Sequence, residues 1–409
     1  MTVVASSTEA KPTTAADYIA IEEEWGAHNY HPLDIVIERA EGSWVYDVEG
    51  KRYLDCLSAY SAVNQGHCNP RIMASLIEQA HRVTLTSRAF RNDQLPLFCE
   101  ELADLCGMES VLPMNTGAEA VETAIKAARR WGYEKKGIPD GRAEIVVFEN
   151  NFHGRTTTIV GFSSEPSYRS GFGPFAPGFN LIPFGDIEAL RAAINSNTCA
   201  LLIEPIQCEA GILIPPDGFL RAAADLCREH NVLFMADEIQ TGLGRTGRMF
   251  ACDHEDVHPD VYILGKALAG GFYPVSAIVS NHEVIDVLRA GTHGSTFGGN
   301  PLGCAVARTA LRVLVEDRLV ERSEELGAWF KSEVAAIAHP DIKEVRGRGL
   351  MVGIELHAPA REYCEALMDL GMLCKETHDH VIRLSPPLVT SRDDLAWAVS
   401  QLRTVFAAH

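Results

Sequence analysis

The 409-residue sequence predicts an α/β protein with a large domain on a mostly parallel sheet and a small α+β C-terminal domain. Between about residues 69 and 315, short apolar runs alternate with helical patterns, which is typical of parallel strands joined by crossover helices. From about Leu319 the pattern changes to longer helices separated by short strand-like runs. We expect a flexible tail (1–17), an N-terminal segment packing with the small domain (18–60), the large domain (61–318) and the small domain (319–409).

Composition excludes several classes of function. The net charge of −19 comes from 55 acidic and 36 basic residues, and such a field repels nucleic acids and anionic membranes. No apolar run approaches the roughly 20 residues that span a bilayer. The 11 cysteines have no repeated metal-type spacing, so we expect free thiols in a reducing compartment and no metal site. The acidic residues near the N-terminus are unlike a mitochondrial transit peptide, and we therefore predict a cytoplasmic protein.

The stretch from residue 232 to residue 266 carries the main chemical signal. Two apolar runs, 232–236 and 261–264, are interpreted as buried strands, and Asp237 and Lys266 follow them closely. Ligands bind outside the carboxyl ends of parallel strands, so this carboxylate and this amine should meet there. A structural salt bridge would explain an isolated pair. A carboxylate and a lysine also suit pyridoxal phosphate, which the lysine binds covalently while the acid keeps the ring nitrogen protonated.

A predicted helix beginning near Thr116 offers a site for the phosphate. Thr116 and Glu119 have the spacing of a capping box, and apolar residues then recur at helical period. Gly117 lets an anion approach the exposed N–H groups, where the helix dipole also favours negative charge. Simple capping explains the sequence equally well when the helix is taken alone.

Further motifs connect these signals. Gln240, the Gly270-Gly271 pair and the loop GSTFGGNP (294–301) together resemble the subgroup III aminotransferases, and the resemblance covers nearly the whole chain. It implies the aspartate-aminotransferase-like fold and catalysis by Lys266 with Asp237. It also implies a homodimer, in which Thr296 reaches the cofactor phosphate of the neighbouring subunit. The implied cofactor-binding residues are Thr116, Gly117, Ala118, Phe152, Asp237, Ile239, Gln240, Lys266, Ser295 and Thr296.

Within this subgroup, the segments NYHPL (29–33) and SAYSAVNQGH (58–67) match ornithine aminotransferases. The match implies L-ornithine as δ-amine donor and 2-oxoglutarate as acceptor, with glutamate and glutamate-5-semialdehyde, which cyclises to pyrroline-5-carboxylate, as products. Glu209 is implied to neutralise Arg383 during ornithine binding and to release it for the α-carboxylate of glutamate, whose distal carboxylate binds Arg155. The implied substrate-binding residues are Tyr30, Tyr60, Arg155, Glu209 and Arg383.

The sequence departs from that pattern at two positions. His153 stands where ornithine aminotransferases more usually have tryptophan, which leaves the edge of the pocket open to question. Cys208 replaces a usual glycine, and it is either tolerated as a small residue or an exposed thiol near the site.

Three other functions remain as alternatives. The donor could be acetylornithine, 4-aminobutyrate or another ω-amine, and Tyr30 is the discriminating residue. A catalytically idle binding protein is a second alternative, which the intact set Asp237, Gln240, Lys266 and Thr296 disfavours. A nicotinamide oxidoreductase is the third, because residues 242–247 read G-x-G-x-x-G. That motif should join a strand directly to a helix, and here we expect a flexible turn instead.

Overall fold

The computed structural model describes residues 12–409, and three sheets organise it. The seven-stranded sheet has the order β4-β10-β9-β8-β7-β5-β6, in which only β10 runs antiparallel to its neighbours. Its strands are β4 Ser110–Met114, β5 Glu144–Phe148, β6 Phe179–Ile182, β7 Thr198–Ile203, β8 Leu233–Asp237, β9 Val261–Leu264 and β10 Ser276–Ser280. The predicted fold class, with its mostly parallel sheet, is confirmed.

Helices cover both faces of this sheet because its strands are apolar on both sides. In β5, Ile145 and Val147 belong to one apolar cluster, while Val146 and Phe148 belong to another. Successive side chains of a strand point to opposite faces, so these two clusters are the two layers between sheet and helices. The helices before the small domain are α1 Ala15–Trp25, α2 Ser58–Ser61, α3 Pro70–Arg82, α4 Gln94–Cys106, α5 Gly117–Trp131, α6 Thr157–Gly161, α7 Pro166–Arg169, α8 Ile187–Ala193, α9 Phe219–Glu229, α10 His282–Ile285 and α11 Pro301–Glu316.

Two smaller sheets flank the large one. The C-terminal sheet is antiparallel with the order β11-β12-β15-β14, and the N-terminal sheet has the order β1-β2-β3-β13. Strand β13 comes from the C-terminal region and pairs in parallel with β3. The strands are β1 Ile37–Glu41, β2 Trp44–Asp47, β3 Arg52–Asp55, β11 Ile342–Arg348, β12 Met351–Leu356, β13 Met372–Leu373, β14 Lys375–Thr377 and β15 Val381–Leu384; the remaining helices are α12 Leu319–Ala335, α13 Arg361–Asp369 and α14 Arg392–Ala408.

Several boundaries differ from expectation. Thr14 caps α1 through a capping box with Asp17, so the helix starts within the predicted tail. Residues 1–11 of that tail lie outside the described residues. One apolar cluster contains both Leu314 of α11 and Leu326 of α12, so the core is continuous across the predicted domain boundary at residue 318. The division into domains therefore stays a prediction.

None of the helices within residues 12–409 has the length and apolar character needed to traverse a bilayer. Across the same residues, no three His, Cys, Asp or Glu side chains gather as a metal site would require. All eleven cysteines lie in this part of the chain as free thiols.

Candidate active site

Asp237 and Lys266 meet at the carboxyl edge of the large sheet. Strand β8 ends at Asp237, which pairs with Ile263 of β9, and Lys266 follows β9 by two residues. Asp237 is buried, and Lys266 is half-buried at the floor of a cleft of about 530 Å³. Burial lowers the pKa of the Lys266 amine. A lysine in this setting gives up its proton more readily than one in water. The cleft is lined by Gly117, Ala118, Phe152, His153, Gly154, Glu204, Ile206, Asp237, Ile239, Gln240, Thr241 and Lys266.

His153 contacts the carboxylate of Asp237. Its Nδ1 lies 2.6 Å from Asp237 Oδ2, and the amide of Ile239 donates to Oδ1 at 3.1 Å. Both side chains are buried, so these contacts fix the direction of the carboxylate. From the sequence, His153 was expected only to alter the edge of the pocket. Its place after β5, at the same edge as Asp237, is the signal that could have revealed this contact.

At the start of α5, two residues that line the cleft have backbone N–H groups with no partner among residues 12–409. Thr116 caps the helix, its hydroxyl accepting from the amide of Glu119 at 3.3 Å, and Glu119 Oε2 accepts from the amide of Thr116 at 2.7 Å. The capping box is confirmed. Because it engages those two amides, the N–H groups of Gly117 and Ala118 remain as the donors for an anion.

The loop 294–301 lies beside this helix start. Ser295 Oγ accepts from Asn115 Nδ2 at 3.0 Å and from the amide of Gly298 at 3.0 Å. Thr296 is exposed, so its hydroxyl points away from the packed interior of this chain.

Next to the cleft, beyond Gln240, the half-buried Glu209 and the buried Arg383 form an ion pair. Arg383 Nη1 donates to Glu209 Oε1 at 2.7 Å, and Arg383 is only 2% exposed. Burial alone would raise the pKa of Glu209, but Arg383 and Lys266 outweigh it and hold that pKa below its usual range. The pair is therefore ionised at neutral pH. Gln240 joins it, since its Nε2 donates to Glu209 Oε1 at 3.3 Å and its Oε1 accepts from Arg383 Nη1 at 3.5 Å.

Tyr60 covers this ion pair from an unusual backbone position. The four residues of α2 all have positive φ, between 46° and 71°, so the turn is left-handed. Each left-handed non-glycine residue costs about 1–2 kcal/mol, which surrounding contacts must offset. The turn places the Tyr60 ring 4.6 Å from the Arg383 guanidinium and 5.9 Å from Lys266 Nζ. Burial raises the pKa of the Tyr60 phenol.

The two remaining predicted substrate residues are exposed and do not line the cleft. Tyr30 is 81% exposed and makes no hydrogen bond within the described residues. Arg155 is exposed, and its guanidinium lies 3.6 Å from the ring centre of Tyr168 and 5.4 Å from that of Phe152. Tyr168 was not predicted, because a tyrosine in a short helix carries no local signal of function.

Two further side chains, in or near the cleft, differ from what the sequence predicts. Cys208 is fully buried, with its thiol 3.5 Å from the carbonyl of Ile206, so the alternative of an exposed thiol is wrong and the burial agrees with a tolerated small residue. Glu204 was not predicted. It is buried, its Oε2 accepts from the amide of Phe152 at 2.9 Å, and burial next to Asp237 raises its pKa well above the usual value.

The cleft has the features that pyridoxal phosphate needs. The free amides at the start of α5 suit its phosphate, and the buried Asp237 suits its ring nitrogen. Phe152 and Ile239 line the cleft as apolar surfaces for the ring, and Lys266 supplies the amine. One cavity thus contains backbone donors for the phosphate, a carboxylate for the ring nitrogen, an apolar surface for the ring and an amine.

Comparisons with known proteins agree with this geometry. Residues 25–406 match the family model Aminotransferase class-III. The chain is 61% identical over 381 residues to the ornithine aminotransferase of Bacillus subtilis (strain 168), covering 93% of this chain and 95% of the relative. It is 59% identical over 391 residues to that of Geobacillus sp. (strain WCH70), covering 96% and 98% respectively.

Solved structures give the same result. The ornithine aminotransferase from Toxoplasma gondii, reported with partial occupancy of PLP at the active site, superposes with a TM-score of 0.96 at 44% identity, covering 97% of this chain and 95% of that chain. The acetylornithine aminotransferase from Elizabethkingia anophelis superposes with a TM-score of 0.89 at 47% identity, covering 97% and 99%. With the strand-end lysine and carboxylate in place, these matches show that the chain belongs to the class-III aminotransferase family and is a pyridoxal-phosphate-dependent transaminase.

Proposed function

We propose that this chain transfers the δ-amino group of L-ornithine to 2-oxoglutarate, giving glutamate-5-semialdehyde and glutamate. The observation that carries the proposal is the buried Glu209–Arg383 pair beneath Tyr60, facing Lys266. While Glu209 neutralises Arg383, that guanidinium is not available to a carboxylate, so a substrate enters there with its side-chain amine. The curated ornithine aminotransferases, at about 60% identity over nearly the full chain, support the same donor.

Release of the ion pair would serve the second substrate. When the Glu209 carboxylate moves away, Arg383 becomes a planar donor for the α-carboxylate of glutamate or 2-oxoglutarate. Arg155, which makes no hydrogen bond within the described residues, is proposed to bind the distal carboxylate of the same substrate at the rim. One cleft would then accept a diamine acid and a dicarboxylate in turn.

The residues of the chain divide the chemistry between them. Bound pyridoxal phosphate supplies an electron sink for negative charge that develops on the substrate carbon. Lys266 Nζ, with its lowered pKa, would take the proton from that carbon as the general base and deliver it to the C4′ atom of the cofactor as the general acid. Asp237, oriented by His153 and the amide of Ile239, would hold the ring nitrogen, and Gln240 would hold the phenolic oxygen. The amides of Gly117 and Ala118 would bind the phosphate.

A homodimer completes this proposal. Several large apolar side chains are exposed on the single chain, including Trp25, Tyr30, Phe90 and Phe297. Phe297 neighbours Thr296, whose hydroxyl is proposed to reach the cofactor phosphate of the partner subunit. Sedimentation analysis should give a dimer, and Thr296→Ala should weaken cofactor retention; a monomer with full activity would contradict this part of the proposal.

Eleven free thiols support a reducing compartment, and we propose the cytoplasm.

The donor is tested with the cofactor-loaded protein and no acceptor. Addition of L-ornithine should remove the visible absorption band of the cofactor and produce pyrroline-5-carboxylate in equal amount. Acetylornithine and 4-aminobutyrate, tested in parallel, should leave the band largely unchanged. A band that responds only to one of those amines would keep the transaminase and replace the donor. No cofactor band after reconstitution would favour an idle binding protein.

Tyr30 gives a second test of the donor. We expect Tyr30→Leu to raise KM for L-ornithine by about tenfold, since a hydrogen bond to a charged group is worth roughly 1.5–3 kcal/mol. Tyr18→Leu, which alters a partly exposed tyrosine of α1, is the matched control. Equal KM values for ornithine in Tyr30→Leu and wild type would remove Tyr30 from the substrate site.

A further inference from the structure

The motif at residues 242–247 forms a buried turn, so the expectation of a flexible turn is wrong. All six residues are buried, and Arg245 is fully buried. The backbone of Thr246 lies so close to Gly349 that a Cβ on this glycine would collide with it. No helix follows the turn directly, as a dinucleotide site would require. This motif is therefore structural, and the question is what its arginine supports.

The Arg245 guanidinium binds four acceptors from three separate segments. Nη1 donates to the carbonyls of Leu350 and Pro386, at 2.8 and 2.6 Å. Nη2 donates to Ser58 Oγ and Asn64 Oδ1, at 3.0 and 2.5 Å. Within residues 12–409 it makes no ion pair with a carboxylate. Nε of Arg245 is buried without a hydrogen-bond partner within residues 12–409. A buried charge without a counter-ion is costly, so the four neutral acceptors of Nη1 and Nη2 hold the cation in one position.

These acceptors border the two side chains that shape the substrate end of the cleft. Ser58 begins the left-handed turn that presents Tyr60, and Pro386 follows Arg383 by three residues. The Ser58 hydroxyl also donates to the carbonyl of Ser385 at 2.6 Å, and the amide of Ser385 donates to the carbonyl of Cys56 at 2.7 Å. The guanidinium thus ties the Tyr60 turn to the chain that leaves Arg383.

We propose that Arg245 is a positioning residue for substrate recognition, which holds the Tyr60 ring over the Arg383 guanidinium from beneath the site. The expected kinetic effect rests on the proposed ornithine activity, whereas the positioning of Tyr60 by Arg245 does not depend on the substrate. The left-handed turn has no glycine, so it needs contacts from outside the turn to keep Tyr60 at 4.6 Å from Arg383. Arg245 supplies such a contact through Ser58 Oγ without reaching the cleft itself.

The test uses two variants. Arg245→Lys keeps the positive charge but loses the planar guanidinium with its several donors. Ser58→Ala removes the hydrogen bond from Arg245 Nη2 and the one to the carbonyl of Ser385. Both variants should raise KM for L-ornithine by about tenfold, with kcat changed less than about threefold. The cofactor band should be unchanged. If Arg245→Lys does not fold, Ser58→Ala decides the kinetic question alone.

Ser323→Ala is the matched control. Ser323 Oγ donates to the backbone carbonyl of Arg245 at 2.9 Å, so this variant also loses a buried hydrogen bond on the turn but keeps the guanidinium contacts. If Ser323→Ala raised KM as much as the test variants at the same loss of Tm, the kinetic effect would reflect general stability, and the proposal would be overturned. Unchanged KM in both test variants, if folded, would overturn it too.

Hydrogen exchange of the apoprotein separates this inference from the proposed function. Amides of residues 58–64 should exchange at least about tenfold faster in Ser58→Ala than in Ser323→Ala, because local opening follows loss of local contacts. Equal exchange in the two variants would overturn the positioning role whatever the substrate is. If the wild-type protein does not react with ornithine, but residues 58–64 exchange faster in Ser58→Ala than in Ser323→Ala, the donor is rejected and the positioning role of Arg245 is kept.

Discussion

The two ends of the active-site cleft are built in different ways. At the cofactor end, Asp237 and Lys266 follow adjacent strands of one sheet, and Thr116 starts a helix against the same sheet. At the substrate end, Tyr60 and Arg383 come from distant segments and meet only through tertiary contacts. The cofactor end therefore takes its geometry from neighbouring strands of one sheet, whereas the substrate end joins Arg383, on strand β15 of the C-terminal sheet, to a left-handed turn from the N-terminal region. We expect mutations at the first to abolish chemistry and mutations at the second to change selectivity.

Lys266→Ala should have the largest effect. Removing the general base should lower kcat/KM for L-ornithine by at least about 10³-fold, within the range that acid–base groups contribute. Lys136→Ala is the control, because burial also lowers the pKa of Lys136 although its ammonium binds carbonyls far from the cleft. Steady-state kinetics decide the matter. If Lys266→Ala retained its activity, the chemistry could not be assigned to the cofactor end.

Glu209→Ala should change selectivity more than rate. Without its carboxylate, Arg383 is free at all times, so α-carboxylate binding gains over δ-amine transfer by about tenfold or more, as expected for an uncovered buried charge. The ratio of pyrroline-5-carboxylate to 2-oxo acid formed from ornithine measures this shift. Glu376→Gln, another carboxylate at the substrate end, should leave the ratio alone. An unchanged ratio in Glu209→Ala would rule out the proposed exchange of partners.

His153→Ala should have an intermediate effect. Asp237 would keep only the amide of Ile239 as its partner, and loss of the charged hydrogen bond should lower kcat/KM by about 10- to 100-fold. The apparent KM for both substrates should stay near the wild-type value, since His153 is expected to act through Asp237. His254→Ala, at a partly buried histidine bound to the carbonyl of Thr246, is the control. A pure KM effect would place His153 at the substrate end instead.

Glu238→Gln should have the smallest effect, visible only in stability. Burial raises the pKa of Glu238 to about 7 from an ordinary 4.5, although Thr241 and the amide of Cys252 donate to its carboxylate. Between these values the unfolded chain is ionised and the folded chain is not, so the free energy of unfolding falls as pH rises through the window and then levels off.

The glutamine variant lacks this titration. Relative to wild type, its Tm should therefore rise between about pH 5 and pH 8. Glu325→Gln, at an exposed glutamate of α12, should run parallel to wild type. Parallel Tm profiles for Glu238→Gln and wild type would show that this carboxyl ionises normally in the folded protein.

The same contrast explains what the sequence could predict. Lys266, Asp237 and the Thr116 cap were found because each signal lies within a few residues of a strand end or helix start. Tyr60 and Arg383 came only from family resemblance, because no local pattern records their stacking. His153 and Arg245 were misjudged for the same reason: their partners, Asp237, Ser58 and Pro386, lie far away in the chain.

Strand β13 has a consequence for how the chain is made. Met372 pairs with Leu54, so the N-terminal sheet receives its fourth strand from a late part of the sequence. At about 5–20 residues per second of translation, this partner leaves the ribosome tens of seconds after β3. Until then the edge of β3 is open to other strands, which is the usual route to aggregation. Yield in cells should therefore depend on how well chaperones protect the first sixty residues during synthesis.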